Sequence, residues 1–204
     1  MQKLIEGYRQ FRTQNWPEQK RLYEKLAIEG QKPHTLIVTC IDSRLDPSRI
    51  FDAAPGELLI VRNVANLVPP YEPDIMRHGT SAALEFGVQV LEIPQIVVMG
   101  HGLCGGVKAL LEGAPPNAPD FITPWMAIAD AARKRALTCD EPQRQECCEH
   151  EVVKTSLANL MTYPWIAKRV AAGKLTLRGA WFAIASGRLR LLNPDGVFED
   201  AAEA

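Results

Sequence analysis

Residues 40–44, Cys-Ile-Asp-Ser-Arg, place a thiol, a carboxylate and a guanidinium within five positions. Later in the chain His101-Gly-Leu-Cys104 adds an imidazole and a second thiol. Thiolate, imidazole and carboxylate are all zinc ligands, and zinc takes four in a tetrahedron. Cys40 with Asp42, and His101 with Cys104, are therefore candidate metal ligands. Either pair alone is a weak signal. Each, however, ends an apolar run, TLIVT at 35–39 and QIVVMG at 95–100, that reads as a buried strand. In an open parallel sheet, ligands bind beyond the carboxyl ends of strands, and both pairs belong there. Gly102, Gly105 and Gly106 leave the backbone free to come close to a metal.

Other chemistries fit these residues poorly. Residues 100–105 match Gly-x-Gly-x-x-Gly, but the dinucleotide fingerprint needs a following strand that ends in an acid, and a Gly- and Pro-rich stretch follows instead. A phosphate loop needs Lys and then Ser or Thr, and Lys108 falls two places late. A cysteine phosphatase would want Arg six residues after Cys40, where the chain has Asp46, which would repel phosphate.

The elements that must position these groups alternate. Residues 2–29 read as two amphipathic helices, the second opened by Pro17. After the strand at 35–39, Asp46-Pro47 opens a short helical turn. Pro55-Gly56 turns into a strand at 58–61, and 62–70 reads as a loop. A helix is expected over 78–91, a strand over 95–100, a helix over 107–111, a surface loop over 113–124, and helices over 125–137, 146–161 and 164–172. Two strands close the chain, joined by a tight turn at Ser186-Gly187. The pattern predicts an α/β fold: a central, mostly parallel sheet of four to five strands flanked by helices, with an N-terminal helical arm. The apolar strand around Trp181–Ala185 is a candidate for sheet extension across a subunit boundary.

The totals are consistent with one domain spanning 1–204, long enough for a sizeable core. Lys plus Arg is 23 against 24 Asp plus Glu, so nucleic acid and membrane are not expected partners. The first residues are amphipathic and show no signal-peptide core, so a cytoplasmic protein is expected. Five cysteines are an odd number, and Cys147 and Cys148 are adjacent. Metal binding or plain burial is expected rather than a disulfide framework, with Cys139, Cys147 and Cys148 incidental. His34 and His150 are expected at the surface.

Cys40-Ile-Asp-Ser-Arg44 and His101-Gly-Leu-Cys-Gly-Gly106, joined by Arg62-Asn-Val-Ala-Asn-Leu-Val-Pro69, resemble the β-class carbonic anhydrases. Residues 16–19, 78–85 and 179–189 are also similar to that family's layout, so the resemblance covers most of the chain. It implies reversible hydration of carbon dioxide to bicarbonate and a proton by zinc-bound hydroxide. Cys40, His101 and Cys104 would hold one Zn2+ per subunit, leaving the fourth position to water. Asp42, kept ionised by Arg44, would accept a hydrogen bond from the nucleophile, and these are the implied catalytic residues. Asp42 would become a ligand only in a closed state. Family members with a bicarbonate pocket that closes the site have Trp and Tyr where this chain has Ile37 and Phe182, so the open state is expected at rest. Leu59, Val64 and Gly105 would form the substrate pocket. Some members have a substrate-orienting Gln at the position of Ala54. His78 and Tyr71 are candidate proton relays, His78 alternatively a helix cap. The resemblance also implies a homodimer or homotetramer, with residues 1–30 packing on a neighbouring subunit. Two alternatives stand beside it. One is a carbonyl sulfide or carbon disulfide hydrolase on the same scaffold. The other is a non-catalytic zinc-folded module, for which Arg44 has no purpose.

Overall fold

A computed structural model describes residues 1–74 and 76–202. Strands β1 (Thr35–Cys40), β2 (Leu58–Asn63), β3 (Gln95–His101), β4 (Thr176–Ala183), β5 (Arg188–Leu192) and β6 (Phe198–Asp200) form one sheet in the order β2-β1-β3-β4-β5-β6. The first four strands are parallel, and β5 and β6 add as antiparallel hairpins. Every residue of β1 is buried. That is the expected state of a central parallel strand covered on both faces, and it explains the unbroken apolar run. Alternate side chains feed two cores. Ile37 and Met99 face one, with Val107, Met126 and Val152. Leu36, Val38, Ile96 and Val98 face the other, with Leu84, Tyr163 and Ile166.

The order contains a switch point. The chain leaves β1 for β2 on one side, and returns with β3 on the other. Carboxyl ends of strands flanking such a point open a crevice for ligands. Cys40 ends β1 and His101 ends β3, so the two candidate ligand pairs lie at this crevice.

The helices are α1 (Gln2–Gln10), α2 (Trp16–Glu29), α3 (Pro47–Ile50), α4 (Gly79–Glu85), α5 (Gly105–Glu112), α6 (Pro119–Ala127), α7 (Asp130–Ala136), α8 (Arg144–Leu160) and α9 (Pro164–Ala171). Wider π-type turns, Phe11–Asn15 and Phe86–Val90, continue α1 into α2 and extend α4. No residue of α1 or α2 is buried by the described part of the chain. Among the described residues no helix is long and apolar enough to cross a membrane.

Several local expectations change. The sheet holds a sixth strand, the short β6, which the tail sequence did not announce. Its hairpin is built by Asn193, whose Oδ1 accepts from Val197 N at 2.9 Å. Because β5 covers β4, the stretch around Trp181 lies inside the sheet and offers no free edge. The segment 113–124 is not all loop: α6 starts at Pro119, where a proline needs no N–H partner. The helix expected over 125–137 breaks between α6 and α7. Cys139 and Cys147 are not incidental, since their sulphurs pair in a disulfide. The turn Glu141–Gln143 folds the chain back between them, which spacing alone did not reveal. Cys148 is buried, and burial pushes its thiol pKa up to about 12.

Candidate metal centre

The ends of β1 and β3 bring Cys40, His101 and Cys104 together. Their ligating atoms lie within 4.8 Å of one another, and all three side chains are buried. A tetrahedral site with metal–sulphur bonds of about 2.3 Å sets its sulphurs about 3.8 Å apart. The Cys40 and Cys104 sulphurs are 3.9 Å apart.

His101 is prepared for ligation. Its Nδ1 lies 2.9 Å from the Gly102 carbonyl, which fixes the proton there. Its Nε2 is buried and finds no hydrogen-bond partner among the described residues. Such an atom is costly unless something accepts its lone pair. The sulphurs carry the same message. The hydrogen bond from Cys104 pulls the Cys40 pKa down, while the bond to Cys40 and burial push Cys104 up. One proton therefore stays between two thiols unless a cation allows both to ionise. The donor set, the geometry and the orphaned nitrogen all fit a divalent metal.

Asp42 stands beside this cluster, held by Arg44. Arg44 Nε donates to Oδ1 at 3.0 Å and Nη2 to Oδ2 at 2.8 Å. The Arg44 backbone N–H adds a third bond at 2.9 Å. The guanidinium's hydrogen bond holds the Asp42 carboxyl well below the usual carboxylate range. Oδ2 is 4.0 Å from His101 Nε2, next to the cluster and turned to the arginine. Arg44 Nη2 also donates to the Leu103 carbonyl at 3.1 Å, tying the two ligand loops together.

The remaining candidates separate. Val64 packs against the core that contains Cys40 and Cys104, and Gly106 meets it so closely that a Cβ there would lie 2.7 Å from Val64 Cγ1. Gly106 is thus the glycine of close approach, whereas a Cβ on Gly105 would meet open space. Leu59 is not brought to Val64. It packs with the opposite core, against Leu36 and Gly87, because its position in β2 points it to that face. An apolar cleft of about 1360 Å³ is walled by Ile41, which follows Cys40, and by Val64, His78, Ile122 and Trp125. His78 sits at the N-cap position of α4, but its Nε2 pairs with Asp74 at 2.7 Å instead of capping. Tyr71 stacks edge-on against Tyr163, away from the ligands. His34 is exposed as expected. His150 is half-buried rather than fully at the surface: its ring stacks on Phe198 and meets Trp181 edge-on.

Three supports were not foreseen. Arg62 donates to the carbonyls of Cys40, Asp42 and Leu45 at 3.0, 2.7 and 2.6 Å, pinning the loop that carries the first ligand and the acid. Trp125 Nε1 donates to the Val64 carbonyl at 2.8 Å. Glu149 and Gln145, on α8, bond the Cys104 backbone. Glu149 carried a sequence signal, being an acid in helical phase with apolar Val152, Val153 and Leu160. The others depend on contacts between distant segments.

A doubly wound sheet with a Cys-His-Cys donor set at its switch point defines an α/β protein built around a candidate metal site. The carbonic anhydrase family model matches residues 35–189. Beta carbonic anhydrase 3 of Arabidopsis thaliana is 38% identical over 203 residues, covering 96% of this chain and 78% of that protein. A carbonic anhydrase of Synechococcus elongatus is 36% identical over 194 residues, covering 93% of this chain and 70% of that protein. Among solved structures, the β-carbonic anhydrase CcaA superposes with a TM-score of 0.92 at 33% identity, covering 98% of both chains. A tetrameric β-carbonic anhydrase from Sordaria macrospora superposes with a TM-score of 0.82 at 27% identity, covering 94% of this chain and 96% of that one. The chain belongs to the β-carbonic anhydrase family, and with it to the enzymes of carbon dioxide hydration.

Proposed function

We propose that this protein reversibly hydrates carbon dioxide to bicarbonate and a proton, with one zinc ion per subunit held by Cys40, His101 and Cys104. The observation that carries the reading is the division of labour at the site. Three buried donors converge, while the Asp42 carboxylate beside them is engaged by Arg44 and stays out of the donor set. Zinc, when bound, supplies Lewis-acid activation of a water molecule near neutral pH.

The chain's residues do the rest. Asp42 accepts a hydrogen bond from the nucleophile and aims its lone pair at the substrate carbon. Arg44 keeps that carboxylate ionised and oriented. Val64 offers carbon dioxide an apolar wall, and the Gly105 N–H orients the substrate oxygen. Asp42 rests on Arg44 and leaves the fourth ligand position to water. Ile37 and Phe182, standing where family members that close carry Trp and Tyr, support this open state. A metal-loaded structure near neutral pH with an Asp42 oxygen as fourth ligand would sink that part of the reading.

The working form is a homodimer or homotetramer in the cytoplasm. The arm formed by α1 and α2 supports this, since Leu4, Tyr8 and Ile28 are 72%, 60% and 86% exposed on the single chain. Such apolar faces are covered by a neighbour. Sedimentation at micromolar concentration checks it, and a monomer mass would refute it.

The deciding experiment is metal analysis with stopped-flow carbon dioxide hydration on wild type and Asp42→Ala. Stoichiometric zinc, active wild type and a severely slowed variant are expected. Zinc with no hydration by wild type would overturn the reading, and hydrolysis of carbonyl sulfide or carbon disulfide by that protein would redirect it.

A further inference from the structure

Cys104 is the ligand least supported by its own segment. It occupies the N-cap position of α5 without a side-chain cap. Leu103 before it adopts a left-handed φ of 57°, a cost a leucine bears only under outside constraint. The residues after it are glycines.

Arg44 bonds the Leu103 carbonyl, and the constraint on Cys104 itself comes from α8. Glu149 Oε1 accepts the Cys104 N–H at 2.9 Å. Gln145 Nε2 donates to the Cys104 carbonyl at 3.0 Å and to Glu149 Oε1 at 3.0 Å. The two residues stand one turn apart on α8, so their side chains share a face. Together they hold both ends of the ligand's backbone. The second Glu149 oxygen accepts Trp181 Nε1 at 3.1 Å, anchoring the acid to β4. Glu149 is 2% exposed. A carboxylate so buried is costly unless fully hydrogen-bonded, and its three donors are the ligand's amide, the companion glutamine and the tryptophan.

We propose that Gln145 and Glu149 are positioning residues of the metal centre, a two-residue clamp that fixes Cys104 in ligating geometry and slows metal release. The inference rests on the reading that Cys40, His101 and Cys104 hold zinc. Ordinary burial of a satisfied acid would also use three bonds. It would not require the companion residue one turn away to take the carbonyl of the same ligand. Outer groups that orient metal ligands typically change affinity by about 10–100-fold.

The test uses zinc-loaded wild type, Glu149→Ala, Gln145→Ala and, as a control on the same helix, Ser156→Ala. Ser156 bonds Val68 N and Asn66 O, so its loss weakens α8 packing without touching Cys104. Zinc release into excess chelator is followed with a chromophoric indicator. The thiolate-to-cobalt absorption of cobalt-loaded protein reports ligand geometry. Glu149→Ala should release zinc about 10–100-fold faster and Gln145→Ala up to about tenfold faster, each with an altered cobalt band. Ser156→Ala should melt lower yet release zinc at the wild-type rate. Release that follows the loss of melting temperature in all three variants would overturn the clamp, as would an unchanged rate in Gln145→Ala. If Glu149→Ala does not fold, Gln145→Ala decides alone, since that side chain is half-buried. Wild type that takes up no zinc would instead refute the zinc reading.

Discussion

Acidification should destabilise this fold through His150, by an amount that follows from the ring's surroundings. The imidazole stacks on Phe198 with centroids 4.2 Å apart and meets Trp181 edge-on at 5.0 Å. Its Nε2 is buried and has no hydrogen-bond partner among the described residues. Burial lowers its pKa from 6.5 to about 4. Arg190 and Lys154 reinforce that shift, while Glu146 and Glu151 oppose it. Because the folded pKa lies below the unfolded one, protons bind the unfolded chain preferentially. The effect sets in as pH falls through about 6.5 and fades above it. As pH falls towards 4 stability is progressively lost, and below that the loss is complete. The cost works out at about 0.8 kcal/mol near pH 6 and about 2 kcal/mol near pH 5. Both are upper values, since solvent reaches the half-buried ring and screens its charge. His150→Phe keeps the aromatic contacts and cannot be protonated. Urea unfolding of both proteins across this range, with metal saturating, gives the difference directly and cancels effects common to both. The variant should gain about 1–2 kcal/mol on wild type between about pH 7 and about pH 5. Parallel stability curves would refute the argument.

Gly106→Ala should cost about 2 kcal/mol, in the range for overpacking, because its Cβ would lie 2.7 Å from Val64 Cγ1 and 3.0 Å from Ala65 Cβ. Thermal melting measures it, and a melting temperature within a degree or so of wild type would contradict the packing. Arg62→Ala removes three charge-assisted bonds at a partly open site, so about 2 kcal/mol and weaker zinc retention are expected, read by urea titration and chelator competition. Trp125→Phe leaves the wall of the cleft in place but deletes the bond to Val64. It should cost about 1 kcal/mol, and a stability change near zero would show that this bond does not hold the wall.

The sequence announces what is local or periodic. The centres of TLIVT and QIVVMG, Leu36–Val38 and Ile96–Met99, are apolar without interruption because both faces of β1 and β3 are covered, which identifies them as strands. Asp42 and Arg44 are two apart, and a turn closes their pair without help from elsewhere. The Cys-His-Cys cluster is legible because costly side chains end both strands. Leu59 is a different case. Its place in β2 was clear, but the face it presents depends on register, and register sends it to the Leu36 side. The disulfide escaped because Cys139 and Cys147 approach only through the turn between them, and no spacing rule encodes that turn.

What stayed hidden shares one physical property. Arg62, Trp125, Gln145 and Glu149 each act on the backbone of a distant segment. A backbone N–H or carbonyl has the same chemistry whatever residue carries it, so the recipient leaves no mark in the sequence. Only the donor side can be read, and only when it breaks a local rule, as Glu149 does on the apolar face of α8. Arg44 joins both kinds. Its fork on Asp42 is local, whereas its bond to the Leu103 carbonyl crosses from the β1 loop to the β3 loop. The same guanidinium therefore sets the charge of the acid and the spacing of the ligand loops. An Arg44→Lys substitution should loosen both at once, because an ammonium lacks the planar fork that reaches two targets. Its mark would be faster zinc release together with slower hydration. Slower hydration with wild-type release would mean that the Leu103 contact does not hold the loops.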